Sequence, residues 1–316
     1  MKQFQLSNGD SMPGLGLGTW KMDEEEAFRS VVEAIKIGFR QIDCAWIYTN
    51  ESGVGRALKT AVTEHGVGRD ELWVTSKLWN DCHRPEHVRP ALEATLHDLQ
   101  LDYLDLYLVH WPVAFKHGRV QPETVDDFVS LDLLPMRLTW RAMEECLQAG
   151  LCKQIGVSNF TESKLSNLLQ CATIKPAVNQ VESHPYLQQA SLLEFCNQHE
   201  ILFTAYSPLG SSDRSEQMRK AKEPSLLDDT QVQNIAKQRN ISPAQVLIAW
   251  AIQRGTIAIP KSSNPVHMSQ NLAATEFDLT AAEMSAIGQL DRGYRYIDAT
   301  FWEMPGSPYD IKAFWD

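Results

Sequence analysis

The strongest constraint on this chain is an eightfold alternation of short apolar runs with amphipathic stretches of helical period. The runs fall at residues 15–17, 40–43, 72–76, 104–109, 154–157, 177–181, 201–205 and 256–259. Between them, Phe28, Val31, Val32 and Ile35 share one face of residues 24–37, as Val88, Leu92, Leu96 and Leu99 do in residues 86–99. Strands alternating with helices pair in parallel through right-handed crossovers. Eight of them predict an α/β fold of the closed (β/α)8 TIM-barrel type rather than an open, doubly wound sheet. Residues 1–12 come before the first run and predict a β-hairpin, Phe4 to Leu6 against Ser11 and Met12. Its Asn8-Gly9 turn suits a geometry with positive φ at both residues, and the hairpin is placed to plug one end of the barrel.

No low-complexity linker or shift of composition interrupts residues 1–316, so one domain is expected. Two longer irregular segments stand out, 112–135 after the fourth run and 292–316 at the end, the latter carrying Tyr294, Tyr296, Phe301, Trp302, Tyr309, Phe314 and Trp315. Long loops in a compact domain serve as lids or binding loops, here on the substrate side. A tail packed across the barrel for stability is the plainer alternative. The net charge of −11 argues against a general nucleic-acid binder, which needs a basic footprint, yet leaves room for a small anionic ligand at a few gathered lysines. Residues 1–9 are polar and no apolar run is long enough for a bilayer, so neither a signal peptide nor a membrane partner is expected. The six cysteines are scattered without CxxC pairs, which fits a reducing, cytoplasmic setting. A monomer or weak homodimer is expected.

Parallel barrels place their chemistry at the C-terminal ends of the strands. Asp43 and Tyr48 follow the second run, Lys77 the third and His110 the fourth. A free phenol, with a pKa of about 10, is a poor acid at neutral pH. A lysine ammonium beside it is expected to lower that value, and a buried aspartate keeps the lysine charged and in place. A neutral histidine can orient a substrate oxygen. Any one of these residues at a strand end is more often simply packed; four matched types on neighbouring strands weaken that explanation. Cys82, His83 and His87 suggest a metal, but a fourth ligand is missing and Pro85 marks a helix start, so no metal is expected.

Six stretches stand in order along the chain: GLGLGTW from Gly14 to Trp20, GFRQIDCA from Gly38 to Ala45, Tyr48 through Asn50-Glu51 to Val54-Gly55, LDYLDLYLVHWP from Leu101 to Pro112, IGVSNF from Ile155 to Phe160 and Ile259-Pro260-Lys261-Ser262. By these the sequence resembles the aldo-keto reductase family, of the aldose or aldehyde reductase type. The resemblance implies NAD(P)H-dependent reduction of aldehydes, aldoses or ketones, with Asp43, Tyr48, Lys77 and His110 as the catalytic tetrad and Tyr48 as proton donor. It implies that Ser158, Asn159 and Gln180 hold the nicotinamide carboxamide and that Tyr206 stacks on the ring. Gly18, Thr19, Trp20 and Asp43 flank the same cofactor. Ser207, Leu209, Ser211 and Asp213 fall in the loop over its pyrophosphate, and Lys261, Ser262, Asn264, His267 and Asn271 at its adenosine end. No GxGxxG follows a first strand, so a Rossmann reading has no support.

His267 stands where the family usually has an arginine for the 2′-phosphate, and Gln270 where it has a glutamate beside the adenine. A bidentate guanidinium is thereby lost. NADP(H) is expected through Lys261, with NAD(H) or dual use left open. Trp20, Ile47, Tyr48, Trp79, His110, Trp111 and Trp302 are expected to bind a small carbonyl substrate, in an apolar pocket suited to an aldehyde. Lys116, His117 and Arg119 offer charge for an anionic substrate, or form a solvated loop. Two further functions remain open from sequence: a nucleotide-binding regulatory or structural protein on the same scaffold, and a barrel hydrolase or lyase using Asp43, Lys77 and His110.

Overall fold

Each apolar run becomes one strand of a barrel in the computed structural model, which describes residues 2–220 and 222–316. Ahead of the barrel, β1 (Gln3–Gln5) pairs antiparallel with β2 (Ser11–Pro13), confirming the hairpin; Met1 lies outside the described residues. The turn differs from the expected one. Gly9 alone of the Asn8-Gly9 pair is left-handed, at φ +92°. Asn8 uses its side chain instead, Oδ1 accepting from the Asp10 amide at 3.1 Å and Nδ2 donating to Asp10 Oδ2 at 2.8 Å. Such local side-chain bonds are what make Asn a turn residue without positive φ.

The eight barrel strands are β3 (Leu17–Gly18), β4 (Gln41–Asp43), β5 (Trp73–Leu78), β6 (Leu104–Val109), and, beyond two short strands described below, β9 (Cys152–Ser158), β10 (Val178–Glu182), β11 (Leu202–Tyr206) and β12 (Ile257–Ile259). All neighbours pair in parallel, in the order β3-β4-β5-β6-β9-β10-β11-β12. The barrel closes between its first and last strands: the Gly16 amide donates to Ala258 O at 2.9 Å and the Ala258 amide to Gly14 O at 3.0 Å. The fold is thus a (β/α)8 barrel. A side chain at Gly16 would run into Gln41, whose Cγ lies 2.8 Å from where a Cβ would sit, so glycine there makes room for a buried amide inside the barrel.

Helices α1 (Glu24–Ile37), α2 (Glu51–His65) and α3 (Pro85–Leu99) cover the first strands. The start of α1 is set by Asp23, whose Oδ1 accepts from the Glu26 amide at 2.7 Å, and its end by Gly38 at φ +120°. Val31, Ala34 and Ile35 of its apolar face are buried in the main core. Among the described residues no helix is long and apolar enough to cross a membrane.

The two barrel ends differ. At the N-terminal end Phe4, Leu6 and Met12 of the hairpin pack against Trp73, Leu106, Leu108 and Ile257, closing it with apolar surface. At the C-terminal end the two long segments are more ordered than the sequence pattern suggests. Within 112–135, β7 (Ala114–Phe115) pairs with β8 (Phe128–Val129) as an antiparallel ribbon. The tail crosses this end and is tied down: Tyr309 donates its hydroxyl to Val129 O at 2.6 Å and accepts from the Ala114 amide at 2.8 Å. Glu182, buried at the end of β10, accepts from the Tyr296 and Ile297 amides at 2.7 and 2.8 Å. Tail and ribbon share one apolar cluster that includes Trp79, Trp111, Phe115, Phe128, Ile297 and Trp302.

Candidate active site

The strand register brings the sequence-predicted groups to one rim. Asp43 ends β4, and a short 3-10 turn, Trp46–Tyr48, carries the phenol back over it. Lys77 lies within β5, one residue before its end rather than beyond it, and His110 directly follows β6. Lys77 Nζ donates to Asp43 Oδ1 at 2.5 Å and to Cys44 O at 2.8 Å, and both side chains of this ion pair are fully enclosed. Burial works against the lysine charge, but the Asp43 carboxylate outweighs it and holds the ammonium above the ordinary lysine range. The ammonium sits 5.2 Å from the centre of the Tyr48 ring. The Tyr48 and His110 rings meet edge to face at 5.8 Å.

One expectation is corrected here. Burial raises the Tyr48 phenol above its usual value, and Lys77 only pulls it partway back. The dry surroundings disfavour a free phenolate more than one nearby cation favours it. The group is therefore a protonated phenol at neutral pH, with a cation fixed where negative charge would develop. His110 is pushed the other way: burial first, then the Lys77 charge, lowers it well below the usual histidine value and keeps it neutral.

A cleft of about 1020 Å³ runs from this rim across the barrel mouth, at the upper end of the range for small-molecule sites. Its lining includes Gly18, Thr19, Trp20, Asp43, Ser158, Asn159, Gln180, Tyr206, Ser207, Leu209, Ser211, Asp213, Lys261, Ser262, His267 and Asn271, and also Gln270. Asn264 is the exception: it caps the helix Pro265–Ala273, accepting from the Val266 and His267 amides, and faces that helix rather than the cleft. Ile47, Tyr48, Trp79, His110, Trp111 and Trp302 line the other end. Lys116 and Arg119 are exposed and do not line it, while Gln121 from the same loop does. Arg119 pairs with Asp127 at 3.3 Å.

A polar network ties the cleft floor to the buried ion pair. Gln180 Nε2 donates to Asp43 Oδ2 at 2.6 Å, and Ser158 Oγ donates to Gln180 O at 2.7 Å. Asn159, left-handed at φ +65°, donates to His110 O at 3.0 Å and accepts from the Tyr206 hydroxyl at 2.8 Å. Thr19 Oγ1 donates to Asp43 O at 3.1 Å.

Sequence reasoning missed Lys21. It donates to Ser211 Oγ at 3.0 Å and pairs with Asp213, which also lies 3.5 Å from Lys261 Nζ. Two cations and a carboxylate from three separate segments thus bridge the middle of the cleft. The available hint was position: Lys21 follows Trp20 at the end of a barrel strand. Phe301 of the tail also lines the cleft, as do Ile297 and Met218, which had not been singled out. Cys82, His83 and His87 do not converge. His83 is buried with both ring nitrogens unpartnered among the described residues, and burial lowers its pKa to about 3. His87 stacks on His117 instead.

Residues 14–292 match the model of the aldo/keto reductase family. The chain belongs to that family. An aldo/keto reductase of Synechocystis sp. is 52% identical over 316 residues, covering 100% of this chain and 97% of the relative. Aldo-keto reductase family 1 member A1 is 47% identical in Xenopus tropicalis and 45% in Homo sapiens, over 92% of this chain and 89% and 90% of those relatives. Membership in the aldo/keto reductases makes the protein an oxidoreductase acting on carbonyl groups.

Proposed function

We propose that this protein is a single-domain aldehyde reductase that draws on NADPH and discriminates only weakly against NADH. The observation that carries the reading is the buried Lys77–Asp43 pair beneath Tyr48, with neutral His110 beside it at the mouth of the cleft. The cleft residues fit a nicotinamide dinucleotide by their donor chemistry. Ser158, Asn159 and Gln180 offer the hydroxyl and amide groups that a carboxamide pairs with, beside the Tyr206 ring. Lys21 and Lys261 place positive charge at the middle and far end, where phosphates would lie. That cofactor, when bound, supplies hydride to the carbonyl carbon.

The chain's own residues do the rest. His110 orients the carbonyl oxygen as a neutral hydrogen-bond donor, which costs no charge burial. Tyr48 gives its proton to that oxygen. Negative charge then develops on the phenol, and Lys77, already charged and held by Asp43, stabilises it without rearrangement. Trp20, Trp79, Trp111 and Trp302 exclude water and present aromatic surface to the body of the substrate, which suits apolar or neutral aldehydes. The test is NADPH consumption against a panel of aldehydes by wild type and Tyr48→Phe. Loss of turnover by about 10²–10⁴-fold in the variant is expected for removal of a general acid. A variant that reduces glyceraldehyde as fast as wild type removes Tyr48 from the role, and no consumption with any aldehyde overturns the reading as a whole.

A further inference from the structure

The strongest unassigned group lies behind the cleft wall. A 3-10 turn, Asn80–Cys82, leaves β5 directly after Trp79, and the loop between β7 and β8 brings His117 against it. Asp81, Cys82 and His117 each present one ligand atom to a common point, and those atoms all lie within 4.8 Å of one another. His117 Nδ1 is 3.9 Å from Asp81 Oδ2 and 4.0 Å from Cys82 Sγ.

His117 Nδ1 also lies 3.3 Å from Asp81 O, a long hydrogen bond, and the two longer separations are a weak sulfur contact and an ion pair. Both are close to the edges of a tetrahedral zinc site, which are about 3.3–3.6 Å for bonds of 2.0–2.3 Å. Shifts of about half an ångström bring these two pairs to that edge, and the third pair, within 4.8 Å, needs at most about 1.3 Å. The Asp81 side chain is only 6% exposed. Its Oδ2 accepts one bond, from the Gly118 amide at 3.1 Å, and its Oδ1 has no partner among the described residues. Besides that amide the carboxylate faces only the Cys82 thiol and the His117 ring, and a buried carboxylate held by such weak donors is better satisfied by a cation. Exposure grades outward from Asp81 through Cys82 to His117, so the group is walled on its inner side and open to entry from solvent. The His117 ring is held by His87 of α3, stacked on it at 3.6 Å and 9°.

We propose that Asp81, Cys82 and His117 form a binding site for a borderline divalent cation of the zinc class, with solvent as the fourth ligand. Thiolate, imidazole and carboxylate together suit such an ion rather than calcium or magnesium, which take oxygen ligands. On binding, the Cys82 thiol gives its proton to buffer and its sulfur donates the electron pair. His117 gives up its Nδ1 hydrogen bond to Asp81 O, binds the ion through Nδ1 and carries its proton on Nε2 instead. Sequence spacing argued against a metal because it considered only Cys82, His83 and His87. The fold replaces the two nearby histidines with Asp81 and with His117, 35 positions along from Cys82. The same loop reaches the substrate end: Trp79 Nε1 donates to Val120 O at 2.8 Å, and Gln121 lines the cleft. A bound ion pins residues 117–121 to the strand end that carries Trp79.

The test is titration of reduced, tag-free, chelator-treated full chain with Co²⁺, following the thiolate-to-cobalt charge-transfer band. Saturation near one equivalent, with displacement by Zn²⁺, is expected. Cys82→Ser should abolish the band, and His117→Gln should weaken Co²⁺ binding at least tenfold. Both residues are solvent-accessible, so these variants are expected to fold. Absence of the band at millimolar Co²⁺ overturns the proposal. So does a band that survives Cys82→Ser and vanishes in Cys171→Ser, since Cys171 is the exposed thiol elsewhere on the chain.

Discussion

The two ends of the cleft are built by different means. At the reaction end the supporting side chains Lys77, Asp43, Gln180 and Asn159 are buried and committed: Lys77 to Asp43, Asp43 to Gln180, Asn159 to Tyr206 and to the backbone of His110. At the end proposed for the adenosine, Ser262 is half-buried, His267 is exposed, and Lys261 shares Asp213 with Lys21. A buried, fully bonded site fixes geometry and punishes any change, because an orphaned charge in a dry interior has nowhere to go. An exposed site built of single contacts tolerates substitution and tunes affinity by small steps. On the proposed function, the difference implies chemistry that is rigidly specified and a choice between cofactors that is adjustable.

That contrast can be broken most forcefully at Asp43. Asp43→Asn should destabilise the fold by about 3–5 kcal/mol, because Lys77 would remain buried without its carboxylate. Chemical denaturation measures this, and a loss below about 1 kcal/mol would show that the pair is not the cornerstone described here. At the opposite end, His267→Arg should tighten NADPH by about tenfold, roughly 1.4 kcal/mol, and leave NADH nearly unchanged. Fluorescence titration with both nucleotides checks it; equal effects on the two would place His267 away from the 2′-phosphate.

The smallest effect concerns Glu51, which lies beneath the reaction end and accepts from Ser76 Oγ at 2.5 Å and Thr95 Oγ1 at 3.1 Å. Burial raises its carboxyl to about 7. A folded-state pKa above the unfolded one means that the folded chain binds the extra proton. The associated stability is present at low pH and is lost as pH rises from the ordinary carboxyl value of about 4.3 through 7. Glu51→Gln, which cannot ionise, should therefore raise the melting temperature at about pH 8 by about 2–4 °C relative to its effect at about pH 5. Equal shifts at the two pH values would mean that Glu51 is not protonated in the folded chain.

Much of this was legible in the sequence, and the reason is periodicity. Strand and helix patterns repeat every 2 and 3.6 residues, so eight alternations announce a barrel, and the rule that parallel strands end in chemistry then points to Asp43, Tyr48, Lys77 and His110. What escaped depended on long-range contact. The Gln180–Asp43 bond joins positions 137 apart, and Lys21 meets Asp213 across 192. The β7–β8 ribbon has strands of two residues each, too short for any period to show. The direction of the Tyr48 shift escaped for a different reason. A neighbouring lysine can be guessed from spacing, but the desolvation that outweighs it depends on how tightly the finished barrel packs around the phenol.

The central claim is that Lys77 acts on the chemical step through Tyr48 and not on cofactor binding. Single-turnover reduction of an aldehyde by Lys77→Met, paired with the NADPH dissociation constant of the same variant, tests it directly. The neutral, similarly sized side chain should slow the single-turnover rate by about 10²–10⁴-fold while leaving the dissociation constant within about threefold of wild type. A variant that keeps its single-turnover rate and loses NADPH affinity would contradict the account.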